Sequence, residues 1–219
     1  MKSELFKRIN TGLLLFLILI LMFMSKIVLL FVSLTIFTLS FVEFTKLSKL
    51  FFLKNNKAQF ASNCFFSIYL FLFLLIFISA INNIHFKIIL FIVLLICISS
   101  DIGGILFGKV FKGPKLTKIS PNKTISGSLG SFTFSILTSL VLLGYTFNTD
   151  IINNILCGFL ISLSVQLGDL FFSYLKRKSL VKNTGKILPG HGGILDRIDG
   201  ILLGIPIGLA YILLLLFKG

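Results

Sequence analysis

The chain has 219 residues, 56% of them hydrophobic, a mean hydropathy of +1.05 and a formal charge of +14. Its apolar residues fall in long unbroken runs, which excludes a soluble globular protein and marks an integral membrane protein; no segment is polar enough for a separate soluble domain, so one domain over 1–219 is expected. The lysines stand in short loops between apolar runs, where positive charge sets orientation, so the charge does not point to nucleic acid.

Runs of roughly 20 apolar residues predict helices near 11–25, 27–44, 60–81, 86–107, 125–145, 151–174 and 199–217, an all-α polytopic bundle of about seven transmembrane helices. The amino terminus superficially resembles a signal peptide. There is no small-residue cleavage site around Met22–Lys26, however, and a second apolar run follows at once, so a retained span is expected. Only Ser25 and Lys26 separate the first two runs, which predicts either a tight hairpin or one long tilted helix with Lys26 snorkelling to an interface. Cys64, Cys97 and Cys157 each lie inside an apolar run without ligand spacing, and read as packing residues.

Placing the amino terminus in the cytoplasm puts all but Lys26, Lys87 and Lys218 of the 21 basic residues on that side. If the first two runs merge, the later basic loops remain cytoplasmic. Four of the seven acidic residues, Asp101, Asp169, Asp196 and Asp199, fall at or just inside the cytoplasmic ends of predicted helices. A carboxylate near hydrocarbon costs about 2.5–3.5 kcal/mol, so these four need a divalent cation or the nearby lysines as partners.

Ser173 to Asp199 is the most polar long stretch. It carries Lys176, Arg177 and Lys178, then Pro189-Gly190-His191-Gly192-Gly193, then Asp196 and Asp199 at i, i+3 on one helix face. With Asp169 from the preceding helix, three hard oxygen donors can converge as magnesium requires; the alternative is that these aspartates cap helices or pair with Arg197 and Lys176. The glycine loop precedes a helix, so its N–H groups can point at an anion with the dipole behind them. His191 can donate to a phosphate oxygen or act as a general acid or base. Ser120-Pro121-Asn122-Lys123-Thr124 reads as a helix start with Lys123 and Thr124 in reach of phosphate, or simply as a capped helix with one more orienting lysine. Gly103, Gly104 and Gly108 allow close helix packing, but Asp101 beside them is unexplained by packing and so marks a functional position.

Taken together, these segments resemble the phosphatidate cytidylyltransferase, or CDP-diacylglycerol synthase, family, with a signature similar to S-x-x-K-R-x4-K-D-x-G-x3-P-G-H-G-G-x-x-D-R-x-D. Here it reads Ser173, Lys176, Arg177, Lys182, Asn183, Gly185, Pro189-Gly190-His191-Gly192-Gly193, Asp196-Arg197 and Asp199. Leu167-Gly168-Asp169 and Ser120-Pro121-x-Lys123-Thr124 with Gly127 and Gly130 look like the family's other recurring segments, so the likeness covers residues 100 to 217, taken as the catalytic portion. Asn183 stands where the family usually has Asp, and Ser100 where Asn is usual. The resemblance implies a magnesium-dependent enzyme, with a second cation left open, that joins CTP and phosphatidic acid into CDP-diacylglycerol and pyrophosphate at the cytoplasmic face of a bacterial-type inner membrane. In that picture Asp169, Asp196 and Asp199 hold the metal, and Lys176, Arg177 and His191 join them in catalysis. Ser120, Pro121, Lys123, Thr124, Asp101, Lys182, Gly190, Gly192, Gly193 and Arg197 bind substrate. CTP, phosphatidic acid and membrane lipids are then the partners, nucleic acid is not, and a homodimer is compatible with the sequence.

Two other classes compete. A CTP-using enzyme acting on another lipid, such as an isoprenoid alcohol, shares much of this chemistry. A cation-coupled transporter also uses carboxylates, but near the bilayer midplane and between inverted repeats, of which the chain shows none. A non-catalytic scaffold does not need this density of polar groups.

Overall fold

The computed structural model describes residues 2–53, 55–117, 120, 123–188 and 192–218, with side chains from Asn10 to Leu216. Among them run seven helices: α1 (Lys2–Met24), α2 (Lys26–Phe51), α3 (Asn56–Ser79), α4 (Ile84–Val110), α5 (Ile125–Phe147), α6 (Ile151–Lys178) and α7 (Leu195–Lys218). Six of them, α2 to α7, are long and apolar enough to cross a membrane, and α1 adds the shorter apolar stretch Asn10–Met24. The all-α expectation holds. Isolated bridges at Lys115/Thr124 and Leu188/Gly192 are the β-type pairings among the described residues.

The first two runs are separate helices. Ser25 breaks the ladder with φ −116° and ψ 123°, and its side chain accepts from the Val28 N–H, so Lys26 starts α2 and does not snorkel from mid-helix. The other helices begin or end where expected at their apolar limits but run on into polar sequence, α2 to Phe51, α4 to Val110 and α6 to Lys178. The helical ladder satisfies backbone groups on both sides of the hydrocarbon boundary, so hydropathy marks the span and not the helix end.

The chain forms two compact units, Met1–Lys87 with Leu175–Ile198, and Ile88–Tyr174 with Asp199–Gly219. In the first, α2 packs against α1 and α3. Phe44 stacks on Phe66 with centroids 3.8 Å apart, and Ser48 Oγ donates to Asn63 Oδ1 at 2.7 Å.

In the second unit, small residues bring helices close, as they do where lipid removes the hydrophobic drive between helices. A Cβ at Gly103 of α4 would run into the Gly130 carbonyl and the Phe134 side chain of α5, and one at Gly127 would lie 2.9 Å from the Gly104 carbonyl oxygen. Along α7, Gly200, Gly204 and Gly208 recur every fourth residue and face Val165, Cys97 and Val93 in turn. Cys97 and Cys157 are buried free thiols, as packing residues should be, whereas Cys64 is free and exposed.

Candidate functional site

The polar stretch after α6 is held by its own side chains. α6 ends in a paired turn in which Leu180 N–H donates to Arg177 at 3.1 Å and Val181 N–H to Lys176 at 3.0 Å, with Leu180 in the left-handed region at φ 56°. Leu188 and Gly192 then exchange N–H···O bonds of 2.9 and 3.1 Å. Gly192 has φ +88°, open to glycine but costly for other residues.

Asp196 ties this loop together. Its Oδ1 accepts from Lys176 Nζ at 2.8 Å, and its Oδ2 from the Thr184 and Gly193 N–H groups at 2.9 and 3.0 Å. The Lys176–Asp196 side chains are only 12% and 8% exposed. Of the two readings of Asp196 in the sequence, the geometry shows pairing with Lys176, and adds two backbone bonds.

A second carboxylate, not singled out in the sequence, does as much. Glu43 on α2 is 1% exposed. It accepts from Thr184 Oγ1 at 2.8 Å, Leu195 N–H at 2.9 Å and Ile194 N–H at 3.0 Å. It stands at the edge of the apolar run over 27–44, and the burial cost argued for the four aspartates applies to it with greater force. The N–H groups of Gly193, Ile194 and Leu195, at the open end of α7, are therefore already donated to carboxylates of the chain itself.

The other unit holds a second lysine–carboxylate pair. The backbone of Pro114 and Leu116 pairs with that of Lys123 and Ile125, through Leu116 N–H to Lys123 O at 2.8 Å and Ile125 N–H to Pro114 O at 3.0 Å. Thr124 caps α5, its Oγ1 accepting from Gly127 N–H at 3.1 Å, and Ser126 Oγ donates to the Lys112 carbonyl. This places Lys123 Nζ 2.5 Å from Asp169 Oδ2 of α6, with the side chains 24% and 32% exposed. Ser173 Oγ reaches Asp169 Oδ1 at 3.4 Å. Beneath them a polar chain joins α4, α5 and α6: Ser100 to Ser162 at 2.8 Å, Gln166 to Ser162 at 3.2 Å and Ser128 to Gln166 at 2.5 Å. Asp199 is 8% exposed and its Oδ1 accepts the Gly200 N–H at 2.9 Å. A Cβ at Gly168 would lie 2.6 Å from the Asp199 carbonyl oxygen, so Asp169 follows the point where α6 and α7 touch.

Arg177, Lys182 and Arg197 are exposed, as is Asp101 on α4, while Ser120 is half-buried. Asn183 is exposed beside Gly192. Pro121, Gly190 and His191 lie outside the described residues. Among the described residues no group of three or more His, Cys, Asp and Glu side chains is placed to hold a metal ion.

Six apolar helices of spanning length define a polytopic helical membrane protein. The chain belongs to the Cytidylyltransferase family, whose profile matches residues 1–216. It is similar to phosphatidate cytidylyltransferases of Helicobacter pylori (strain J99), 46% identical over 108 residues covering 49% of this chain and 40% of the relative. It is similar likewise to that of Staphylococcus haemolyticus, 43% over 110 residues covering 49% and 42%. The Rickettsia typhi protein of the same name is 41% identical over 117 residues covering 50% and 51%. The matched segments thus span about two fifths to one half of these relatives.

Proposed function

We propose that the chain is a membrane nucleotidyltransferase, a phosphatidate cytidylyltransferase, converting CTP and phosphatidic acid to CDP-diacylglycerol and pyrophosphate. The observation that carries this reading is the pair of lysine–carboxylate contacts, Lys123–Asp169 and Lys176–Asp196, on the segments that bear the family-like motifs. Similarity to three proteins of that name supports it.

An oxygen of the lipid phosphate attacks the α-phosphorus of CTP, the bond to the bridging oxygen of the β-phosphate breaks, and pyrophosphate leaves. No protein nucleophile is needed, so the side chains act by positioning and charge neutralisation. Lys123 in one unit and Lys176 in the other are the cations assigned to phosphate, each argued from its own segment, and Arg177, Lys182 and Arg197 add cationic reach. Because the N–H groups of Thr184, Gly193, Ile194 and Leu195 are already engaged, recognition at this loop rests on side-chain cations more than on a backbone cradle. Magnesium, when bound, neutralises the triphosphate and polarises the α-phosphoryl group. Asp169 and Asp199, from the touching segments of α6 and α7, are the hard donors that would hold it. The positive-inside bias supports a cytoplasmic site, where CTP is found.

The test is formation of CDP-lipid by the purified full chain in detergent, across several nucleoside triphosphates and both phosphatidate and polyprenol substrates. CTP- and phosphatidate-dependent turnover, lost with chelator and restored by magnesium, is expected. Preference for polyprenol, or turnover untouched by chelation, would overturn the substrate or the metal assignment respectively.

A further inference from the structure

Among the described residues Glu43 is the most deeply buried charged side chain, and all three of its hydrogen bonds go to one stretch, Thr184 to Leu195. The donors lie 141, 151 and 152 residues away in sequence. Two of them are N–H groups at the start of α7, which a helix leaves unsatisfied and which carry its positive partial charge, so a buried carboxylate is suited to that place. Gly185 and Gly193 lie against the same carboxylate, and a Cβ at either would collide with its oxygens.

Thr184 links Glu43 to Asp196. Its hydroxyl donates to Glu43 at 2.8 Å and its N–H to Asp196 at 2.9 Å, while Asp196 holds Lys176 at 2.8 Å. The contacts therefore run without a gap from α2 through Thr184 and Asp196 to Lys176. We infer that Glu43 is a positioning residue for the nucleotidyl transfer. It clamps Thr184 and the start of α7 from Gly193 to Leu195, so that Asp196 and Lys176 keep their geometry while substrate phosphates come and go. This rests on the function proposed above. Glu43 does so from a helix that carries none of the motif residues.

The test compares Glu43→Gln, Glu43→Asp and Thr184→Val in the full chain in detergent, each assayed well below its own melting temperature. Two readouts are needed: hydrogen–deuterium exchange by peptide, and steady-state kinetics with CTP. Glu43→Gln keeps the shape but loses the charge and an acceptor oxygen. It is expected to speed exchange across 184–195 about tenfold or more while peptides of α5 stay unchanged. It is also expected to lower kcat about tenfold or more. Glu43→Asp should recover part of that kcat, and Thr184→Val, which deletes one donor, should move both readouts less and in the same direction. Unchanged exchange in 184–195, or exchange raised equally along α2 and α3, would overturn the inference, the latter by showing Glu43 to support the fold at large. The exchange arm needs no turnover. Wild-type protein that makes no CDP-lipid would therefore remove the proposed reaction, while local loosening in Glu43→Gln would still report the clamp.

Discussion

Asp169 and Lys123 meet at 2.5 Å, yet both side chains remain about a quarter to a third exposed. Such a pair contributes at most about 1 kcal/mol to stability. Asp169→Asn and Lys123→Met are therefore expected to keep the wild-type melting temperature within a few degrees while CDP-lipid formation falls about a hundredfold. A variant that melts early and stays active per folded molecule would contradict this. The buried pair behaves differently: Asp196→Asn removes the negative charge that faces Lys176 and leaves one oxygen for three donors, and should cost about 3 kcal/mol by denaturant titration. Gly192→Ala meets two obstacles, a φ of +88° and a Cβ 2.8 Å from Asp196 Oδ2, and should cost about 1–2 kcal/mol in the same titration. At this scale the sequence was informative wherever a polar residue had no apolar explanation. Asp169 and Asp196 stood out for that reason. Lys176 was among the partners read for Asp196, but Lys123 was not singled out for Asp169, because that contact joins segments far apart in the chain.

The helices were legible almost entirely, since spans of this length and hydropathy have few other outcomes in lipid. Their ends were not, because a helix continues into water without any change in hydropathy marking where it stops. The glycines of α4 were read as close-packing residues, and the geometry bears this out, with Gly127 and Gly130 of α5 lying against them. Gly103→Leu should push α4 from α5 and cost about 1–3 kcal/mol, seen as a lower melting temperature in detergent. Gly12→Leu on α1 is the control, since nothing lies within 4 Å of a Cβ there; an equal loss from both would remove the packing explanation.

For the whole molecule, orientation is the property most open to direct test. The charge bias predicts that a cysteine replacing Lys182, in a chain whose exposed Cys64 has been replaced by Ser, is labelled by a membrane-impermeant maleimide only from the cytoplasmic side. A cysteine replacing Asn82 should be labelled only from the other side. The reverse pattern would place the lysine–carboxylate pairs away from cytosolic CTP.

The sequence by itself determined the class of protein, a helix count of about seven, the polar loops and most residues proposed to meet phosphate, because hydropathy, charge and motif spacing are local properties of the chain. The tertiary structure alone decided how those residues are used. It showed two lysine–aspartate pairs, and it showed the N–H groups at the start of α7 occupied by Asp196 and Glu43. Glu43 emerged only then, because a carboxylate inside an apolar helix declares its purpose through the donors that surround it, and here those donors come from the far end of the chain.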